Sequence, residues 1–342
     1  MFVLLTEAAV DIFGWIAQRV RPKWCNSAEL LYEHMESQSG RSLPIIYQPL
    51  DVGDRAHWRD RGAAFDFLAA TEGEGRKLLD LGPGDGWPSL IVAPYAAEVV
   101  GVDGAQRRVL VCAENAARMG IGNARFYYVA PGARLPFADG RFDGAMAASS
   151  LEQTPDPRAT LGEIHRVLRP GGRLRMRYES LERYRGGHER EVWLWEDDVQ
   201  RCRLILYDRQ IDEQRVMQYA LGYGVSGKTL QDMLWGGAEP SMDALTIAAL
   251  EKSLAVLEEA RVCATIHPSG KTWVAWLAEA EFREVWPTLN GMDTAEGLFH
   301  QIAPGNRPKD MAALDALLQP IVRAVVRIAA PAEIDPMITA MK

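Results

Sequence analysis

The chain has 342 residues and a mass of 38.0 kDa, which is more than one hydrophobic core usually serves, so we expect about two domains or one domain with a large insertion. Its composition, 48% hydrophobic and 25% charged, excludes general disorder. The net charge of −8 disfavours a nucleic-acid partner held by a broad basic surface. The four cysteines are widely spaced and form no C-x-x-C pair, which argues against a zinc ribbon or a secreted disulfide framework and favours a reducing, cytoplasmic location.

The first twenty residues are apolar, but Glu7 and Asp11 interrupt them and no basic segment precedes them. The apolar run is too short to span a membrane and lacks the basic start of a signal peptide. Its apolar residues share one stripe of a helix, which we expect to pack against the rest of the protein. These residues are Phe2, Leu5, Ala9, Ile12, Ile16 and Val20.

From residue 76, short strand-like runs alternate with segments of helical length. The alternation predicts βαβ units and a mostly parallel sheet. The strand-like runs are KLLDL, EVVGVD, ARFYYVA, FDGAMAA and GRLRMRY. Helices are predicted over residues 107–119 and 160–168, and the Arg169-Pro170-Gly171-Gly172 segment ends the second of them.

The alternation ends near residue 180. Three strand-like runs then follow one another, VWLWEDD, RCRLILYDR and QRVMQYALGYG, and predict an antiparallel meander followed by a helix near residues 242–260. A helix (TWVAWLAEAEF), a strand (REVWPTL), a helix near 311–328 and a strand (PMITAMK) then return to the first sheet.

These elements predict an α/β fold with a doubly wound, seven-stranded sheet. We predict four segments: an N-terminal helical cap (1–75), a ligand-binding core (76–179), an inserted antiparallel β-rich lid or dimerisation segment (180–268) and the C-terminal part of the core (269–342). An insertion after the fifth strand lies at the carboxyl edge, where ligands of open α/β sheets bind. Exposed strand edges also pair between subunits, so a homodimer is the competing role for the insertion.

A glycine-rich turn, Gly82-Pro83-Gly84-Asp85-Gly86, follows the first strand of this sheet. Glycine has no Cβ, so backbone N–H groups in such a turn can approach a ligand closely. A G-x-G-x-x-G dinucleotide fingerprint needs a third glycine where this chain has Trp87, which disfavours nicotinamide cofactors. Asp103 ends the next strand, where a carboxylate can accept hydrogen bonds from both hydroxyls of a ribose.

Three further motifs follow in order: Leu135-Pro136-Phe137, Phe142-Asp143 and Leu168-Arg169-Pro170-Gly171-Gly172. With the glycine turn and Asp103, they make the chain resemble the class I S-adenosylmethionine-dependent methyltransferases. The resemblance is greatest to the small-molecule branch typified by ubiquinone and menaquinone biosynthesis methyltransferases (methyltransferase type 11 domain), and it covers about residues 76–178. It implies a Rossmann-like core, S-adenosylmethionine as cofactor, S-adenosylhomocysteine as product and methyl transfer to a small-molecule acceptor.

The resemblance also implies which residues bind the cofactor. Asp80 would lie near the amino group of the methionine part. Gly82, Gly84 and Gly86 would line the methionine and the ribose, and Asp103 would accept the ribose hydroxyls.

Two further parts of the implied cofactor site depart from the family pattern. Relatives often have an aspartate for the adenine amino group where this chain has Ala130-Pro131-Gly132-Ala133-Arg134. Adenine would therefore meet backbone groups of Gly132, Ala133 and Arg134. Ser149 follows the fourth strand, where relatives frequently carry a histidine, and we include it among the cofactor contacts.

Methyl transfer from a sulfonium is an in-line displacement, for which a protein mainly aligns the acceptor and excludes water. An oxygen or nitrogen acceptor must also lose a proton, so titratable groups after the strands are candidates for a general base. Glu152 is the first candidate, followed by His57 in the cap and Tyr178 after the fifth strand. Glu179 and His267 are further candidates, and a structural role is the alternative for each of the five.

The fifth strand carries Arg173, Arg175 and Arg177 on one face, where a central parallel strand is usually apolar. They would form salt bridges to acids of the insertion, such as Glu189 and Asp197, or an anion-binding face for a carboxylate or phosphate acceptor.

Three tryptophans, Trp58 in the cap and Trp193 and Trp195 in the insertion, would pack in a core or enclose a large apolar acceptor.

Two other functions compete with methyl transfer. A catalytically silent S-adenosylmethionine-binding or interaction protein is suggested by the missing adenine aspartate and by the insertion, and turnover without an added partner would separate it from an enzyme. Aminopropyl transfer would need an acidic amine site that the sequence does not reveal. We predict no metal in the site.

Overall fold

The computed structural model describes residues 11–27, 30, 51–184, 186–196, 202–334 and 336–342. The chain forms two compact units, one made of residues 1–41 and 183–266 and the other of residues 42–182 and 267–342. The segment predicted as a cap is therefore divided between the two units. In its first part residues 12–20 are helical, whereas residues 1–10 lie outside the described ranges.

The described residues form β-strands numbered in chain order: β1 Lys23–Trp24, β2 Lys77–Leu81, β3 Glu98–Asp103, β4 Ala124–Tyr128, β5 Phe142–Ala148, β6 Leu168–Arg177, β7 His188–Glu196, β8 Cys202–Gln210, β9 Arg215–Tyr223, β10 Leu257–Ile266, β11 Glu284–Thr288 and β12 Met337–Met341. The α-helices are α1 Ile12–Trp15, α2 Arg55–Thr71, α3 Ser89–Val92, α4 Gln106–Arg118, α5 Pro157–Val167, α6 Gly227–Trp235, α7 Ile247–Ser253, α8 Gly270–Glu279, α9 Gly291–Gln301 and α10 Met311–Val325.

The larger unit contains a seven-stranded sheet in the order β11-β12-β6-β5-β2-β3-β4. Strands β6, β5, β2, β3 and β4 are parallel, whereas β12 is antiparallel to both of its neighbours. The predicted doubly wound α/β sheet is confirmed. Because the chain reverses its direction of winding between β2 and β5, the carboxyl ends of these strands form the crevice in which ligands of open α/β sheets bind.

Helices cover both faces of this sheet. Leu78 and Leu79 are adjacent in β2 and fully buried, but they belong to different hydrophobic clusters because successive side chains point to opposite faces. The Leu78 cluster includes α2 and α10, and the Leu79 cluster includes α5 and α8. Burial on both faces explains why these strands are continuously apolar.

Arg175 is the exception in this apolar sheet, and its partners differ from those expected. Its side chain is 0% exposed and pairs with both carboxylate oxygens of Asp66 in α2, at 2.7 and 2.9 Å. Its remaining hydrogen bonds go to Thr288, Thr339 and the Leu289 carbonyl. The prediction of ion pairs to acids of the insertion is wrong for this residue, because the face of β6 that carries it is covered by α2.

Arg173 follows the same rule, since it pairs with Glu72 at 2.8 Å, just after α2. An anion-binding face formed by all three arginines is excluded, because Arg175 is fully buried and its guanidinium already has protein partners.

The smaller unit contains a five-stranded sheet in the order β1-β10-β9-β8-β7. Strands β7, β8 and β9 form the predicted antiparallel meander. The predicted helix over 242–260 is wrong in its second half, because α7 ends at Ser253 and residues 257–266 form β10 against β9. Pairing along β9 overrides the helical preference of the Leu-Glu-Glu-Ala segment that begins β10.

None of the helices in the described ranges is both long enough and apolar enough to cross a membrane.

Candidate active site

The glycine turn joins β2 to the residues before α3, and its conformation requires glycine. Gly82 has φ +70°, its N–H donates to the Val102 carbonyl at 2.8 Å, and a Cβ on it would lie 2.5 Å from Cβ of Ser150. Gly84 has φ +59°, but a Cβ there would meet nothing within 4 Å. Gly82 is therefore needed for packing, whereas Gly84 borders open space that a ligand can enter.

Two side chains of α4 hold this turn from below. The Cys112 thiol donates to the Gly84 carbonyl at 3.2 Å, and the Asn115 amide donates to the Asp85 carbonyl at 2.7 Å. Both residues are buried, and burial raises the pKa of the thiol, so Cys112 acts as a neutral donor. Neither residue was predicted from the sequence, although their i, i+3 spacing places them on one face of the predicted helix.

Asp80 lies directly before the turn and is fully buried. Its Oδ2 accepts hydrogen bonds from the backbone N–H and the hydroxyl of Ser89, at 3.1 and 2.6 Å. Its Oδ1 is buried and accepts no hydrogen bond from the described residues. Burial raises the pKa of Asp80 to about 7. Such an oxygen is expected to have a partner, and a ligand ammonium group would supply one.

Asp103 ends β3, the strand next to β2, and the residue is 3% exposed. Its Oδ1 accepts a hydrogen bond from the Ala105 N–H at 2.8 Å, which fixes the orientation of the carboxylate. The Val129 N–H donates to the Asp103 carbonyl at 3.0 Å, so the loop that contains Gly132 and Ala133 leaves β4 beside this aspartate.

Arg134 belongs to the same loop, but its side chain is 72% exposed. Its ion pairs with described residues are both long, at 3.9 Å, and go to Asp139 and Glu163. Arg166 fixes the loop more firmly, through hydrogen bonds to the Leu135 carbonyl and to Glu163. The backbone of Arg134 remains a predicted adenine contact, whereas its side chain points to solvent.

Polar groups without described partners meet at the carboxyl ends of β5 and β6. Ser149 has φ +53°, an uncommon conformation for a residue with a side chain, and its N–H donates to the Arg177 carbonyl at 2.9 Å. The Ser149 hydroxyl oxygen is buried and makes no hydrogen bond with the described residues. Strained residues and unsatisfied buried groups concentrate at functional sites.

Glu152 follows Ser149 in a short 3-10 helix and is 2% exposed. Its Oε1 accepts a hydrogen bond from the Glu179 N–H at 3.1 Å, whereas Oε2 is buried without a partner among the described residues. Burial is the main reason that the pKa of Glu152 is raised to about 8; the charge of Glu179 adds to the rise and that of Arg177 opposes it. His267 lies nearby, with Nδ1 3.1 Å from the Glu179 carbonyl oxygen.

The sequence of this region matches known methyltransferases. A family model described as a methyltransferase domain matches residues 79–176, from β2 to β6. Demethylmenaquinone methyltransferase of Thermus thermophilus is 35% identical over 142 residues, which is 41% of this chain and 62% of that protein. The O-methyltransferase cnsE of Penicillium expansum is 39% identical over 125 residues, which is 36% of this chain and 43% of that protein.

Residues 79–176 are therefore similar in sequence to a methyltransferase domain.

The chain spans 62% of the length of the first of these relatives and less than half of the second. A solved structure, the CcbJ methyltransferase from Streptomyces caelestis, is 16% identical and covers 87% of this chain and 92% of its own, with a TM-score of 0.47.

The methyltransferase domain has the features that S-adenosylmethionine requires. The Oδ1 of Asp80 faces no described donor, the space beside Gly84 is open, and the Asp103 carboxylate is fixed at the end of β3. S-Adenosylmethionine is the cofactor of class I methyltransferases. The Asp80 carboxyl fits its ammonium group, the space beside Gly84 fits its methionine part, and the Asp103 carboxylate fits its ribose hydroxyls.

His57 and Tyr178, which were predicted as catalytic residues, both contact other residues of the larger unit. His57 is buried at the start of α2, and its Nδ1 accepts a hydrogen bond from the Asp51 N–H at 2.9 Å. The Tyr178 ring packs against Trp273 of α8, with ring centroids 6.1 Å apart. Trp58 is 0% exposed in the core, so it packs rather than encloses an acceptor.

Asp60 was not predicted, although it lies one turn after His57 in α2. It accepts a hydrogen bond from the Trp87 indole N–H at 3.2 Å, which places α2 beside the glycine turn. Burial raises the pKa of Asp60 to about 6. The signal in the sequence was Trp87, which stands where a dinucleotide fingerprint has its third glycine. Its indole N–H needs a hydrogen-bond acceptor, and Asp60 is that acceptor.

Proposed function

We propose that the chain catalyses methyl transfer from S-adenosylmethionine to a small-molecule acceptor. The observation that carries this proposal is Glu152, a buried carboxyl with one oxygen held by the Glu179 N–H and the other without a described partner. It follows β5, the strand next to β2, at the edge where ligands of open α/β sheets bind. A buried acid with a raised pKa in such a place is typical of a catalytic group.

On the cofactor side, Asp80 would bind the ammonium group, Asp103 the ribose hydroxyls and the backbone near Gly132 and Ala133 the adenine. Ser149 would complete this side with its buried hydroxyl. The bound cofactor supplies an electrophilic methyl group on a sulfonium, so the protein must align a nucleophile with it and exclude water.

On the acceptor side, Glu152 is protonated at neutral pH and would donate a hydrogen bond through Oε2 to the acceptor. Above pH 8 it is ionised and would take the proton that an oxygen or nitrogen nucleophile loses. The hydrogen bond from the Glu179 N–H fixes the carboxyl in both states. We therefore expect turnover of an acceptor that must lose a proton to rise as the pH approaches 8.

A small acceptor is also supported by the relatives, two of which are named for demethylmenaquinone and for O-methylation. A residue that a silent binding protein would not need is present, since Glu152 is assigned to the acceptor and not to the cofactor. Enzyme function is therefore favoured over the silent alternative.

The role predicted for residues 180–268, a lid over the acceptor or a dimerisation segment, stays a prediction. Trp193 is 55% exposed on β7 and lines a groove of about 550 Å³ together with Met242. An exposed tryptophan beside a groove suits binding of an apolar molecule.

The test is a screen for acceptor-dependent formation of S-adenosylhomocysteine, with Glu152→Gln and, as a matched control, the exposed Glu114→Gln. We expect Glu152→Gln to lower turnover of the best acceptor at least tenfold and to leave affinity for S-adenosylhomocysteine within a few fold. Full activity of Glu152→Gln would refute the role of Glu152. If none of the acceptors in a broad screen gave any S-adenosylhomocysteine, the proposed function would be refuted.

A further inference from the structure

Arg177 is the last residue of β6, and no residue that the structure describes forms an ion pair with it. It is half-buried and pairs in register with Ala148, at the carboxyl edge of the sheet. Arg173 and Arg175 on the same strand both form short ion pairs, at 2.8 and 2.7 Å. Within the described ranges, the Arg177 guanidinium forms no ion pair or hydrogen bond.

The neighbours of Arg177 are the unsatisfied groups of the acceptor side. Its carbonyl accepts the N–H of the strained Ser149, whose buried hydroxyl lacks a described partner. The positive charge of Arg177 lowers the pKa of Glu152, but burial raises it more, to about 8. Glu152 is therefore protonated at neutral pH and does not serve as a counter-ion for the guanidinium. A half-buried cation with five N–H donors and no anion is costly unless a ligand supplies one.

We propose that Arg177 binds a carboxylate of the methyl acceptor and makes the enzyme selective for acidic small molecules. The inference rests on the proposed function and specifies its substrate class. A guanidinium binds a carboxylate through two parallel N–H···O bonds, which would orient the acceptor while its nucleophilic group meets Oε2 of Glu152. A single guanidinium matches the charge of a singly charged carboxylate better than that of a doubly charged phosphate.

The methionine carboxylate of the cofactor carries the same chemistry and is the competing ligand. Arg177 is separated from β3, which carries Asp103, by two strands, and it lies on the far side of β5 from the glycine turn. The groups around it, Ser149 and Glu152, belong to the end of β5. This placement favours the acceptor, and affinity for S-adenosylhomocysteine separates the two ligands.

The experiment compares matched anionic and neutral probes on the protein saturated with S-adenosylhomocysteine. The pairs are acetate and acetamide, benzoate and benzamide, and 4-hydroxybenzoate and 4-hydroxybenzamide, with binding followed by ligand-observed NMR. Arg177→Gln removes the positive charge, and Arg177→Lys retains the charge without the two parallel N–H donors of the guanidinium. Arg118→Gln, at an exposed position near the end of α4, is the control for loss of one positive charge.

In the wild type we expect the carboxylate of at least one pair to bind tenfold or more tightly than its amide. Arg177→Gln should abolish that preference, Arg177→Lys should retain part of it, and Arg118→Gln should leave it unchanged. Calorimetry should give the same affinity for S-adenosylhomocysteine in all four proteins within about threefold, and thermal unfolding checks that each variant is folded.

Three results would overturn the proposal: equal binding of all carboxylates and amides in the wild type, a preference that survives in Arg177→Gln, or a tenfold loss of S-adenosylhomocysteine affinity in Arg177→Gln. The last result would assign Arg177 to the methionine carboxylate. Failure of the wild type to bind S-adenosylhomocysteine at all would instead refute the proposed function.

Discussion

Glu152 should make the stability of the protein fall as the pH rises, and Glu152→Gln should remove that dependence. Glutamine resembles the protonated acid and can still accept the hydrogen bond from the Glu179 N–H, so the variant keeps the local geometry. In the wild type, burial raises the pKa from its usual 4.5 to about 8. The folded protein therefore holds a proton that the unfolded chain has already released.

The direction and size follow from proton linkage. Between pH 4.5 and 8 the folded state binds more protons than the unfolded state, so stability falls with increasing pH, at up to about 1.4 kcal/mol per pH unit. The stabilisation from the raised pKa is fully present below about pH 4.5 and is lost as the pH passes through 8. From pH 5 to pH 9 the loss amounts to roughly 4 kcal/mol.

Urea unfolding of the wild type and Glu152→Gln at a series of pH values measures this difference, because all other titrating groups are common to both proteins. We expect the variant to gain roughly 4 kcal/mol relative to the wild type between pH 5 and pH 9. The exposed Glu114→Gln serves as the control and should track the wild type at every pH. If the difference in the free energy of unfolding between Glu152→Gln and the wild type did not change with pH, the conclusion that Glu152 is buried in its uncharged form would be refuted.

Further substitutions test other parts of the structure. Gly84→Ala should lower the free energy of unfolding by only about 1–2 kcal/mol, the penalty of a left-handed alanine. It should nevertheless weaken S-adenosylhomocysteine binding at least tenfold, because its methyl group enters the space of the ligand. Gly82→Ala should destabilise the fold further, because its methyl group clashes with Cβ of Ser150. Calorimetry and thermal unfolding measure both effects, and normal cofactor binding by Gly84→Ala would contradict the assignment of that space. Asp66→Ala should lower the free energy of unfolding by about 3–5 kcal/mol, since it leaves a buried guanidinium without its counter-ion; a loss below about 1 kcal/mol in urea unfolding would show that the pair is not buried as described. Replacing Trp193 and Trp195 together by alanine should weaken acceptor binding while cofactor affinity and mass in light scattering stay unchanged; altered mass with unchanged acceptor kinetics would make the smaller unit an interface.

The sheet and the glycine turn could be predicted because their signals are local. Apolar strands alternate with helices at regular spacing, and the glycines and Asp103 follow the strands that position them. Contacts between distant residues could not be predicted in this way. The partner of Arg175 is Asp66, 109 residues earlier in the chain, and no periodicity connects the two.

Tertiary pairing explains the predictions that failed. Residues 257–266 have a helical composition at their start but become a strand because β9 offers a ladder of backbone hydrogen bonds. Helix α9 was missed between a predicted strand and a predicted helix, although Asn290 caps it by accepting the Asp293 N–H. Glu152 was a candidate because it follows a strand, but the sequence does not show that it is buried or that the Glu179 N–H, 27 residues later, holds it.

Calorimetric titration with S-adenosylhomocysteine tests the central claim most directly. We expect the wild type to bind S-adenosylhomocysteine and not NADH. Asp103→Asn, which can still accept the Ala105 N–H but lacks the charge, should bind S-adenosylhomocysteine more weakly by about 1.5–3 kcal/mol, the contribution of a charge-assisted hydrogen bond. Unchanged affinity in Asp103→Asn, or binding of NADH as tight as that of S-adenosylhomocysteine, would contradict a class I methyltransferase cofactor site at the ends of β2 and β3.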